Sequence, residues 1–98
     1  MNRTDAINAL KSREVDIRRL GIHHVALFGS TARNAARPES DLDLVVTFDP
    51  SARIGMFRYL EIIDALADLL GRPVDIVTEP ARTPHLQAQI DRDRVDVF

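Results

Sequence analysis

The stretch that decides the fold reads Val25-Ala26-Leu27-Phe28-Gly29-Ser30 and, after ten intervening residues, Asp41-Leu42-Asp43. An apolar run halted by Gly-Ser is a buried strand turning into a helix start. Such a turn offers unpaired backbone N–H groups and a hydroxyl, which suits a phosphate, and glycine lets the backbone come close. Taken alone, Gly29-Ser30 is equally well a helix start with Ser30 as its N-cap. Asp41 and Asp43 say more. Two residues apart on a strand, they share a face with Cα atoms roughly 7 Å apart. Aspartate is rare in strands, and like charges side by side repel. Hard oxygen ligands of this kind suit Mg²⁺; the plainer reading is two solvated acids at an exposed strand start. Asp75 is a third acid, set in the otherwise apolar run Val74-Asp75-Ile76-Val77. If its strand lies beside that of Asp43, three carboxylates gather at a phosphate-binding turn. That is the apparatus of two-metal phosphoryl or nucleotidyl transfer, with Asp75 helping to deprotonate the attacking hydroxyl. Without that pairing, Asp75 is an exposed edge-strand acid.

Outward from this centre, helices and strands alternate. Thr4 to Leu20 is expected as one helix capped by Thr4 and stopped by Gly21, with Ile7, Leu10, Ile17 and Leu20 as its apolar stripe. His24 to Phe28 is a strand, Thr31 to Ala36 a brief helix, and Arg37-Pro38-Glu39-Ser40 a turn. The strand Asp41 to Phe48 puts Leu42, Leu44, Val46 and Phe48 on one face, with Asp41, Asp43, Val45 and Thr47 on the other. A helix from Ile54 to Leu70 carries Met56, Leu60, Ile63, Ala67 and Leu70 at helical spacing, so the Met56-Phe57-Leu60 end is expected in the core. Val74 to Thr78 is a strand. Pro80 and Pro84 bracket a loop, His85 to Asp91 is a short helix with His85 at the surface, and Arg94 to Phe98 is a small edge strand. The expected fold class is α/β, with a small mixed sheet packed with helices as one layer pair, and residues 1–98 as a single domain.

The chain of 98 residues is 45% hydrophobic, and 13 basic against 15 acidic side chains leave a net charge of −2. That balance argues against a nucleic-acid platform, so no direct nucleic-acid binding is expected. The absence of cysteine excludes disulfides and thiolate chemistry. No apolar run reaches the roughly 18 residues of a membrane span, and the N-terminus lacks signal-peptide character, so no membrane and a cytoplasmic location are expected. Among the weaker signals, Arg33 and Arg37 could contact a triphosphate or stand solvated on a short helix. His23 and His24 should point to opposite faces of their strand. Asp49 and Glu79 flank strand ends where they could support the site. Arg13, Arg18 and Arg19 read as a solvated helix face.

Phe28-Gly29-Ser30-Thr31-Ala32-Arg33 followed by Ser40-Asp41-Leu42-Asp43-Leu44 and then Val74-Asp75-Ile76 resembles the minimal nucleotidyltransferase (MNT) domain of the DNA polymerase β superfamily. The resemblance spans essentially the whole chain. It departs at Asn34, where relatives often carry glycine, although asparagine tolerates the left-handed backbone such a turn uses. It implies the nucleotidyltransferase fold, Asp41, Asp43 and Asp75 as catalytic acids and ligands for one or two Mg²⁺ ions, and Gly29, Ser30 and Arg33 at the nucleotide. It also implies the antitoxin of a HEPN/MNT toxin–antitoxin pair, which moves AMP from ATP to a tyrosine of a HEPN RNase toxin. The alternative is a catalytically silent antitoxin that neutralises the HEPN toxin by binding alone; a stand-alone transferase on small molecules or nucleic-acid ends is more distant.

Overall fold

The computed structural model describes residues 2–33 and 41–98. Its elements are α1 (Arg3–Ser12), α2 (Glu14–Arg19), β1 (Ile22–Leu27), α3 (Gly29–Ala32), β2 (Leu42–Phe48), α4 (Met56–Leu70), β3 (Val74–Thr78), α5 (Pro84–Asp93) and β4 (Val95–Asp96). The strands form one sheet in the order β3-β2-β1-β4. β1 runs antiparallel to both β2 and β4, while β2 and β3 are parallel across the α4 crossover, so the sheet is mixed. β4 is the edge strand expected near the C-terminus.

The first helix is two helices. The Ser12 hydroxyl donates to the Ala9 carbonyl at 2.8 Å, the acceptor that the Arg13 N–H would need to continue an α-helix. Arg13 N–H bonds to Leu10 instead, at 3.1 Å, and the chain breaks there. Leu10 and Ile17 nevertheless stay fully buried, flanked by Ile7 and Leu20, so the apolar stripe survives the break. The cap is Asn2 rather than Thr4: its side chain accepts the Asp5 N–H at 2.8 Å, which places Thr4 inside the first turn.

The sheet is covered on both faces, not as a single layer pair. On one face α1, α2 and α4 bury Leu10, Ile17, Ile62 and Leu66 against Val25, Leu27, Leu42, Leu44, Val46 and Ile76. On the other, α5 sets Ile90 against Ala26 and Val45. Thr83 caps α5 by accepting the Leu86 N–H, and Pro84 occupies its first turn, where no N–H is needed.

α4 departs most from its expected packing. Its buried residues are Ile62, Leu66 and Leu70, a stripe rotated one residue from Ile63 and Ala67. Met56, Phe57 and Leu60 are exposed. Glu61, Asp64 and Asp68 share the opposite face of α4, so the acids set its phase and turn Ile62, Leu66 and Leu70 to the sheet, with Phe57 on the acidic side.

Candidate active site

The site is built where β1 ends, beside the starts of β2 and β3. At the end of β1, Gly29 adopts φ +60, a left-handed conformation that a side chain disfavours. A Cβ there would stand 3.1 Å from Asp43 Oδ2. Glycine is therefore required in this turn by its own dihedral and by the nearby acid. Ser30 donates its hydroxyl to Asp43 Oδ2 at 3.1 Å, and the Asp43 N–H donates to the Thr31 hydroxyl at 3.3 Å. The Phe28 N–H bonds to the Asp43 carbonyl. The Gly-Ser-Thr turn thus grips Asp43 through both its side chain and its backbone. Thr31, only 1% exposed, is the one buried polar residue among the described residues. Sequence reading passed over it, and its only signal is its position directly after Gly-Ser.

Asp43 and Asp75 are register partners on the parallel strands β2 and β3. Neighbouring strands lie about 4.8 Å apart, so the two carboxylates leave the same face side by side. Burial pushes the Asp43 carboxyl above its ordinary value; the Ser30 hydroxyl and N–H pull it down, and the charges of Asp75 and Asp41 push it up further. Asp43 therefore feels the charge of both of the other expected acids. Asp41 and Asp75 are exposed and Asp43 is half-buried.

Among the described residues, no three His, Cys, Asp or Glu side chains form a ready-made metal cage. The donor chemistry fits Mg²⁺ all the same. These are hard carboxylate oxygens on an open face, and their mutual repulsion is what a divalent cation relieves.

The remaining candidates make the following contacts. Arg33 donates to Asp93 at 2.9 Å and ties α3 to the end of α5. Asn34, Arg37 and the turn 37–40 lie outside the described residues, as does the far end of the brief helix expected over Thr31 to Ala36. Glu79 accepts from Arg94 at 2.9 Å and Gln87 at 2.8 Å, which binds the β3–α5 loop to the last strand. Burial lowers the affinity of Arg94 for its proton, but the carboxylates of Glu79 and Asp96 outweigh it and raise its pKa. Asp49 accepts the Ser51 N–H and hydroxyl, and these bonds hold its carboxyl below its ordinary value. It builds a turn. His23 and His24 do not point apart: their rings stand 4.3 Å from each other, because a bulge between Ile22 and His24 breaks the alternation.

Comparison with known proteins agrees with this architecture. The nucleotidyltransferase domain family profile matches residues 6–97. A predicted protein adenylyltransferase of Methanocaldococcus jannaschii, MJ1379, is 36% identical over 77 residues, 78% of this chain and 77% of that protein. A solved structure of a predicted minimal nucleotidyltransferase superposes with a TM-score of 0.77 at 34% identity, covering 97% of this chain and 95% of the other. The fold is also that of the MNT antitoxin solved with the tri-AMPylated HEPN toxin of Shewanella oneidensis: TM-score 0.66, 18% identity, 94% of this chain and 71% of that one. Among the described residues, no helix is long and apolar enough to cross a membrane.

Proposed function

The chain belongs to the nucleotidyltransferase domain family, and from that premise we propose that it is an antitoxin that transfers AMP from ATP, with Mg²⁺, to a tyrosine of a HEPN toxin. The observation that carries the reading is the in-register pair Asp43–Asp75, with Asp41 close by and the Gly29-Ser30 turn against it. The AMPylated state of the toxin in the related MNT complex, and the adenylyltransferase name of the M. jannaschii relative, support AMP as the group transferred.

Each residue then has a task. Asp41, Asp43 and Asp75 would hold one or two Mg²⁺ ions, which when bound offset phosphate charge and acidify the attacking hydroxyl. Ser30 fixes the Asp43 carboxylate, so the ligand is oriented before substrate arrives. Gly29 keeps the turn low beside that carboxylate, leaving its backbone open to the nucleotide phosphates. Exposed Asp75 accepts the proton of the tyrosine hydroxyl. The phenolic oxygen forms a bond to the α-phosphorus, the bond from that phosphorus to the bridging oxygen breaks, and pyrophosphate leaves with the electron pair.

The test uses the purified chain, its HEPN partner, Mg²⁺ and α-labelled ATP. Asp41→Ala or Asp43→Ala should cut label transfer by more than about 100-fold, the order expected when one group that stabilises transition-state charge is removed. Circular dichroism should be unchanged. Tight complex formation with no label from the unmutated chain would instead identify an antitoxin that works by binding alone.

A further inference from the structure

Three apolar side chains at the start of α4 stand in solvent: Met56 is 71% exposed, Phe57 84% and Leu60 50%. Scattered apolar residues are ordinary on a surface, but a cluster within one and a half helical turns is not. Met56 also lines a groove of about 660 Å³ that follows the β3 edge past Tyr59 and Val77 to Arg82. Val77 lies two residues beyond Asp75 on the same face of β3, about 7 Å along the strand. None of the three acids lines the groove, and its nearest approach to them is Val77 on the Asp75 face of β3.

The edge is already closed to strand addition at its centre, because the Tyr59 hydroxyl donates to the Ile76 carbonyl at 3.3 Å. An occupant has to dock through side chains. The charge at the rim says which kind. Arg82 lines the groove and Arg53 adjoins it; both are exposed and make no ion pair among the described residues. A second copy related by a twofold axis would bring these cations towards their own mates, whereas a partner with carboxylates around an apolar centre would neutralise them.

We propose that Met56, Phe57 and Leu60, continued by the β3-edge groove, are the surface on which the acceptor protein docks through an apolar segment flanked by acidic residues. The proposal rests on the reading above that the acceptor is a HEPN protein. It adds where that protein sits, with its hydroxyl-bearing side chain delivered past Val77 to Asp75.

The test compares the unmutated chain with Phe57→Arg, Leu60→Glu and, as a control on a different exposed apolar residue (64% exposed), Val15→Arg. Each is titrated with the purified HEPN partner by calorimetry, run alone on a sizing column, and assayed for label transfer at low and saturating partner. Phe57→Arg and Leu60→Glu should each weaken binding by about tenfold or more, as loss of a central contact does. They should raise KM for the HEPN protein and leave kcat at saturation intact, while Val15→Arg behaves as the unmutated chain. If the unmutated chain binds without transferring label and Phe57→Arg abolishes binding, the docking surface stands and the transfer reading fails. Unchanged binding and transfer in both α4 variants overturns the docking surface and leaves the transfer reading intact. An unmutated chain that dimerises alone and becomes monomeric with Phe57→Arg also overturns it, because the occupant is then a second copy.

Discussion

The two faces of β2 are one strand put to opposite uses. Leu42, Leu44 and Val46 face α1, α2 and α4 and are no more than 1% exposed, whereas Asp41 and Asp43 alternate with them on the other face. That second face is only half covered. α5 packs Ile90 on Val45 and Ala26, and the end that carries Asp43 and its neighbour Asp75 stays open. The period of two separates core from chemistry at single-residue spacing, so the rigid apolar face can hold repelling charges on its reverse side.

The difference between the faces can be broken from either side. Leu44→Ala removes a fully buried side chain from the larger core and should lower unfolding free energy by about 2–5 kcal/mol, read as a shift in urea midpoint at constant slope. A loss below about 1 kcal/mol would mean that this face is not the rigid one. Gly29→Ala acts at the seam between the faces. Its φ of +60 and the 3.1 Å approach to Asp43 Oδ2 should cost about 1–3 kcal/mol in the same titration. Asp43→Asn should have the smallest effect and the opposite sign. It keeps an acceptor for Ser30 and removes a charge that burial, Asp75 and Asp41 disfavour, so stability at pH 7 should rise by up to about 1 kcal/mol while transfer is lost.

The sign of the pH dependence sharpens the last case. Folding raises the Asp43 pKa above its ordinary 3.8, so the native state holds this proton more tightly than the unfolded chain. The stabilisation from the protonated form is complete below 3.8 and is lost as pH rises through the folded value. Parallel denaturation of the unmutated chain and Asp43→Asn across that range should show the variant gaining relative stability as pH rises. An unmutated chain that gains stability relative to the variant there would show that the Ser30 hydrogen bonds outweigh burial and hold the Asp43 carboxyl below its ordinary value.

Much of this was legible in the residues because it is local. The limits of β3, the alternation of β2, the two apolar runs and the stops at Gly21 and Gly71 follow from dihedral preference and period. Asp75 could be tied to Asp43 only on condition that their strands are neighbours, and the register supplies that condition. The errors share a cause: each needed a partner distant in sequence or a hydrogen bond that no period encodes. The chain breaks at Arg13, where the N–H turns to the Leu10 carbonyl. A bulge turns two histidine rings together. Arg33 meets Asp93, sixty residues away, a contact that no local period encodes.

By itself the amino-acid sequence marked out Gly29, Ser30, Asp41, Asp43 and Asp75 as candidates, since aspartates that share a strand face repel and an acid within an apolar strand is unfavourable unless solvated or paired. It also determined the order and type of most elements, since caps, stops and periodicity act within a few residues. Only the tertiary structure decided that Asp43 and Asp75 are register neighbours and that the layer on their face leaves them exposed. Strand pairing depends on contacts between segments far apart in the chain, which no local period encodes. Phe57, by contrast, shares a helix face with Glu61 and Asp64, so the residues themselves assign it to solvent.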